Sequence, residues 1–210
     1  MNRANMEPNK KMKAFFSAVV LGISLFSAAA HAAGPTPQER EALFSELEKA
    51  EAIVEGAREA RSTLYVFFDA NCLYCNLTWR ALQHYEPVGL RVHWVPVAYQ
   101  KPDSMGRAAA IMEARYRAAA LKYNAVKYDA AKYEGGIQPL EKPKAETLEK
   151  VQANTRLMQR FGAPGTPALA WKDKDGQVHF KAGLPRLSEL AGITGLPEQK
   201  IDDPELARFR

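Results

Sequence analysis

The chain is 210 residues long with 47% apolar and 25% charged side chains, proportions that exclude wholesale disorder, fibrous repeats and a large multidomain assembly. Its 29 Lys and Arg against 24 Asp and Glu give +5, but the first 32 residues carry four of the basic residues (Arg3, Lys10, Lys11, Lys13) and one acid (Glu7). The remainder, 25 basic against 23 acidic residues, is nearly neutral and offers no electrostatic footprint for nucleic acid.

Lys10, Lys11 and Lys13 precede an apolar run from Ala14 to Ala30, and Ala30-His31-Ala32 places small residues at the two positions a signal peptidase reads. Residues 1–32 therefore read as a cleaved secretory signal, with Ala33 the first mature residue. A membrane anchor is the competing reading, but a run of about 17 residues interrupted by Ser17, Gly22, Ser24 and Ser27 is short for a span of roughly 20. No second apolar stretch of that length follows, so the mature protein is expected outside the cytoplasm.

The segment 33–62 reads as one helix. Thr36 is its expected N-cap, Pro37 sits at the first helical position and Glu39 completes a capping box, while Leu43, Leu47, Ala50 and Val54 form an apolar stripe. Thr63 to Phe68 is a β-branched and aromatic run expected to be a buried strand, broken by Asp69-Ala70-Asn71. From Cys75 to Gln83 the pattern turns helical, with Leu77, Trp79, Ala81 and Leu82 as core positions and Pro87 barring continuation.

Cys72 and Cys75, the two cysteines of the chain, fall where that strand ends and that helix begins. A disulfide between them would close almost no chain, so loop-closure stabilisation gives it little structural value. Cys-x-x-Cys serves redox pairs and metal sites alike, but a structural zinc site wants four ligands, and His31, His84, His93 and His179 show no metal-binding spacing. No metal and no cofactor is expected. At a helix N-terminus the unpaired N–H groups and the macrodipole favour an anion, which makes Cys72 the expected thiolate and Cys75 the resolving thiol. His84 and His93 read as surface or interface residues, and Trp79 and Trp94 as core.

A strand is expected at Leu90–Val97, then an all-helical block. Asp103 to Tyr133 shows Ile111, Ala114, Ala118 and Leu121 on one face and Met112, Tyr116, Ala119 and Tyr123 on an adjoining one, giving a broad inward stripe. Arg107, Arg115, Arg117, Lys122, Lys127 and Lys132 read as its solvated face rather than as a cationic client surface. A second helix is expected from about Lys144 to Phe161, buried through Leu148, Val151, Leu157, Met158 and Phe161 and stopped by Gly162. Thr166-Pro167 precedes a strand, Ala168 to Trp171, where an X-Pro bond tolerates cis but a plain loop proline serves as well. A hairpin through Val178 to Ala182 and a short helix, Arg186 to Gly192, complete the body, leaving 197–210 as a tail.

Phe-Phe-Asp-Ala-Asn-Cys-Leu-Tyr-Cys after a strand, a helical insertion, Gly-Thr-Pro-Ala before a strand, a hairpin and Gly-Leu-Pro before the last helix resemble the catalytic domain of the periplasmic DsbC/DsbG thiol:disulfide interchange proteins, DsbG the more nearly. The resemblance covers about Thr63 to Gly192. It implies an α/β thioredoxin-like fold over 63–196 with a helical insertion at about 103–162, preceded by a linker-like helix in 33–62. It implies dithiol–disulfide exchange at Cys72-Leu73-Tyr74-Cys75 on client proteins with disulfides or sulfenic acids, as a reductase or isomerase in the periplasm, recycled by a membrane redox partner. Thr166 would precede a cis-Pro167 beside the reactive pair and bind substrate through its backbone; Tyr74 and Asp69 match family positions as supporting residues.

Two departures accompany the resemblance. Leu73 stands where the family commonly has Pro or Gly, so its redox potential does not carry over, and the 30 residues from Ala33 to Ser62 are too few for the family's dimerisation domain. A monomer, or a weak dimer through the first helix, is therefore expected. Val66, six residues before Cys72, stands where thioredoxin itself keeps a buried proton-relaying Asp. A non-catalytic binding module, such as a metal carrier or a secretion-apparatus component, is the alternative reading.

Overall fold

The computed structural model describes residues 34–210; the expected signal peptide lies outside the described residues. The chain enters through α1 (Pro37–Leu47), whose start is the expected capping box: Thr36 Oγ1 accepts from the Glu39 N–H at 3.3 Å, and the Glu39 carboxylate accepts from the Thr36 N–H at 2.8 Å. The helix is shorter than expected. Ala50 falls in a turn after it, and Val54 belongs to a strand, β1 (Ile53–Gly56), with its side chain exposed. The β-branched pair Ile53-Val54 is captured by antiparallel pairing with β3 (Leu90–Val97), in the register Ile53↔Trp94, so tertiary pairing overrides the helical spacing.

The strand expected at Thr63–Phe68 is β2 (Ser62–Asp69), parallel to β3 and followed by α2 (Leu73–Gln83). After β3 come α3 (Ser104–Glu113), α4 (Arg117–Val126) and α5 (Ala145–Arg160), then the hairpin of β4 (Ala168–Lys172) and β5 (Val178–Ala182), and α6 (Leu190–Thr194). The five strands form one mixed sheet in the order β1-β3-β2-β4-β5. Because β2 is covered on both faces it reads as an unbroken apolar run, yet its alternate residues go to opposite sides. Leu64, Val66 and Phe68 join Trp79, Leu82, Trp94, Ile111 and Leu121 on one side; Tyr65 and Phe67 join Leu43, Phe44, Leu47, Leu157 and Phe161 on the other. The apolar side of α1 is thus buried on this chain's own sheet, and a dimer through that stripe would have to strip it away.

The insertion departs from its sequence reading in two ways. The helix breaks over 114–116, which resets the face: Ile111, Met112 and Leu121 are buried, whereas Tyr116, Ala118, Ala119 and Tyr123 are exposed. Arg107, expected on the solvated face, is 5% exposed. Its guanidinium pairs with Asp103 at 2.8 Å and donates to the carbonyls of Gly135 and Ile137, both at 2.5 Å, so the cation is buried with its donors satisfied. The last helix also runs through Gly192, ending instead at Gly195, whose φ of +64° suits a left-handed C-cap. Among the described residues, no helix is long and apolar enough to cross a membrane.

Candidate active site

Parallel strands present their carboxyl ends to one edge of the sheet, the usual position for chemistry in such layers. At that edge β2 ends in Asp69, and the chain turns through Ala70-Asn71 into α2. Cys72 is the N-cap of α2: its sulfur accepts the Cys75 N–H at 3.2 Å, and its thiol reaches the Thr166 carbonyl at 3.4 Å. Both cysteines are free thiols and both are buried, at 2% and 4% exposure. Their environments push them apart. The Cys75 thiol, helped by the Thr166 side chain, the Cys75 N–H and the Gln100 side chain, lowers Cys72 against burial to about 7. Burial first, and then the hydrogen bond to Cys72 and its charge, hold Cys75 well above the ordinary thiol range. One sulfur is ionised near neutral pH and its neighbour is kept protonated, which is the division of labour a nucleophile and a resolving thiol need.

The Thr166-Pro167 peptide is cis and sits directly ahead of β4, so Thr166 faces the dithiol from the loop that enters the strand next to β2. Thr166 is held by residues the sequence reading did not single out. Its N–H donates to Tyr99 Oη at 2.6 Å, Tyr99 Oη and Thr166 Oγ1 are 3.0 Å apart, and Gln100 Nε2 donates to the same Oγ1 at 3.2 Å. Tyr99 and Gln100 lie just past the end of β3, at the same sheet edge as the dithiol. That placement is the one signal in the sequence that could have found them.

Asp69 is 1% exposed and acts as an acceptor hub. Oδ1 accepts from the Asn71 N–H at 2.9 Å and Ser104 Oγ at 2.8 Å, and Oδ2 from the N–H groups of Tyr99 at 3.0 Å and Gln100 at 3.1 Å. It fixes the loops on either side of the dithiol. Tyr74 is half exposed and packs edge-on against Phe209 at 6.3 Å, so it ties the start of α2 to the C-terminal residues. His84 caps the far end of α2, and His93 lies tilted against Tyr65 within the sheet, ring centroids 4.6 Å apart. Trp79 and Trp94 are core residues, as read from the sequence.

The turn itself is braced by the insertion. Asn71 Nδ2 donates to Asp103 at 2.8 Å, Tyr128 Oη donates to the Asn71 carbonyl at 2.8 Å, Asn124 Nδ2 donates to the Ala70 carbonyl at 3.1 Å, and Asn76 Nδ2 donates to the Ala125 carbonyl at 2.7 Å. Gly135 closes this brace because a Cβ there would lie 2.0 Å from Asn124 Oδ1 and 2.4 Å from the Ala70 carbonyl oxygen. Burial and then the charge on the two sulfurs push the Tyr128 phenol up. A cavity of about 20 Å³ remains beneath the pair, lined by Cys72, Cys75, Trp79, Trp94, Asn124 and Tyr128. Behind it Trp79 Nε1 donates to Glu55 Oε2 at 2.8 Å, and the buried Trp94 indole N–H faces the same carboxyl outside hydrogen-bonding geometry. Burial, opposed by Trp79 and reinforced by Glu86, lifts Glu55 to about 7.

Sheet order and the seat of the dithiol place the molecule in the class of thioredoxin-fold proteins. Sequence comparison narrows this: residues 47–193 match the family model described as a thioredoxin-like domain, and the chain belongs to that family. It is similar to two proteins named thiol:disulfide interchange protein DsbG. It is 26% identical over 154 residues to that of Pseudomonas aeruginosa, covering 73% of this chain and 59% of the relative. It is 28% identical over 163 residues to that of Escherichia coli, covering 76% and 62%. The chain therefore spans about three-fifths of the length of the curated relatives it matches. Among solved structures, Proteus mirabilis ScsC in a transitional conformation superposes with a TM-score of 0.60 at 20% identity over 76% of this chain and 79% of that one, a likeness of fold. The DsbG-like resemblance and the thioredoxin-like fold read from the sequence are both met.

Proposed function

We propose that the protein is a thiol–disulfide oxidoreductase that exchanges its Cys72–Cys75 dithiol with disulfides of client proteins outside the cytoplasm. The observation that carries this reading is the seat of the pair: Cys72 caps α2, its sulfur accepting the Cys75 N–H at 3.2 Å and bordering the Thr166 carbonyl at 3.4 Å, while Cys75 is buried behind it, a setting that lowers the first thiol and raises the second. In the reducing direction the Cys72 thiolate attacks one sulfur of a client disulfide. A Cys72–client disulfide forms, the client S–S bond breaks, and the departing client sulfur leaves as a thiolate that takes up a proton. Cys75 then loses its proton and attacks Cys72, breaking the mixed disulfide and releasing the second client thiolate. The client gains two electrons, and the domain is left with a Cys72–Cys75 disulfide that a separate dithiol partner must reduce. We assign that partner to the membrane, as the family resemblance implies, and the signal-like residues 1–32 support a periplasmic setting. Thr166 and Pro167 are assigned to client binding, because the Thr166 backbone borders the attacking sulfur.

Equilibration of the mature protein with glutathione buffers, read by alkylation and intact mass, tests the reading. A potential of roughly −120 to −230 mV is expected for a labile pair; a value below about −300 mV marks an inert disulfide and overturns it. Cys72→Ala is expected to abolish turnover of a model disulfide while Cys75→Ala accumulates the mixed disulfide. A binding module would have no turnover to lose. Iodoacetamide alkylation of the reduced protein is expected to rise through pH about 7 at Cys72 and to spare Cys75 at that pH.

A further inference from the structure

Next to the attacking sulfur the backbone of Thr166 offers one carbonyl and one N–H. The carbonyl accepts from the Cys72 thiol at 3.4 Å, and the N–H is already used by a side chain of the same molecule, the Tyr99 phenol at 2.6 Å. The contact is built rather than incidental. The Tyr99 backbone N–H is anchored to buried Asp69 at 3.0 Å, and its hydroxyl also meets Thr166 Oγ1 at 3.0 Å. Gly165 leaves room for the phenol, since a Cβ there would sit 3.0 Å from Tyr99 Oη. Yet Tyr99 is 44% exposed, so its ring can rotate into solvent without unpacking the core while its backbone stays fixed.

We infer that Tyr99 is a gate for extended polypeptide clients, its phenol occupying the backbone N–H of Thr166 that such a client needs in order to lie beside Cys72. This rests on the exchange reading above and adds a selectivity to it. An extended segment docks on exposed backbone by main-chain hydrogen bonds. To use Thr166 it must displace the phenol, exchanging one hydrogen bond for another and releasing the ring. A small disulfide that makes no backbone pairing has no such exchange to perform. Tyr99 therefore sets the preference between the two kinds of oxidant through the cost of vacating one amide.

The test compares wild type with Tyr99→Phe, which keeps the ring and removes the hydroxyl. Rates are measured at pH 9, above the value of about 7 to which Cys72 is lowered, against an extended peptide carrying a mixed disulfide with glutathione and against Ellman's reagent. The ratio of peptide rate to small-disulfide rate is expected to rise about 2- to 12-fold in the variant, the range of one net hydrogen bond. In the free protein the Thr166 amide should exchange its hydrogen slowly in wild type and faster in Tyr99→Phe. A ratio that is unchanged or lower, or an unprotected wild-type amide, overturns the gate while leaving exchange at Cys72 intact. Failure of wild type to react with either disulfide overturns the exchange reading and the gate with it.

Discussion

The two faces of the sheet are built on different principles. Toward α1 and α5 the contacts are mainly apolar and aromatic, Asn154 apart: Phe67 against Phe161 at 5.9 Å, Phe44 edge-on to Tyr65 at 5.3 Å, Phe161 stacked on Phe180 at 5.3 Å. Toward α2, α3 and α4 the interior also holds Asn71, Asn76, Asn124 and Arg107, with the half-buried carboxyl of Glu55 beside them, each tied by directed hydrogen bonds. The first face supplies stability with little demand on geometry. The second holds two sulfurs and a turn in one arrangement, which non-directional packing cannot specify.

That contrast can be broken from the apolar side first. Phe67→Ala should cost about 3–5 kcal/mol in urea unfolding, because Phe67 is fully buried, and should leave the pH midpoint of Cys72 alkylation in place. On the polar side Asn124→Ala should cost about 1–3 kcal/mol by stranding the Ala70 carbonyl and the Ile137 N–H, with faster amide exchange at Ile137 as its signature.

Glu55 sharpens the comparison through pH. Its carboxyl keeps a proton in the folded protein that the unfolded chain gives up above about 4.5, so wild type should lose stability as pH rises from there to about 7, by on the order of 2 kcal/mol. Glu55→Gln keeps an acceptor for Trp79 and should remove that slope, as urea midpoints at pH 5 and pH 8 would register. The smallest effect belongs to the surface: Glu46→Ala loses an exposed pair with Arg160 and should cost no more than about 1 kcal/mol by the same assay.

What could be read from the sequence follows the range of the interactions. The capping box at Thr36, the strand through Phe68, the dithiol at a helix start and the stop before Pro87 are local patterns, and each was legible. The edge strand Ile53–Gly56 was hidden because four residues carry no period of their own and are fixed by Trp94 and His93 on another strand. Arg107 carries a charge that spacing assigns to water, and its burial becomes tolerable when the Asp103 carboxylate is joined by the carbonyls of Gly135 and Ile137, about thirty residues on. Tyr99 meets Thr166 across 67 residues, a separation no window along the chain can see.

The cavity under the dithiol has an optical consequence. Trp79 and Trp94 both line it, in the company of both sulfurs. Disulfides quench indole emission on close approach more strongly than thiols do, so the fluorescence of the native chain should dim on oxidation and recover on reduction. The electron count of the site is thereby coupled to a signal that needs no label, and the exchange proposed for it would be followed as it happens from light the molecule already emits.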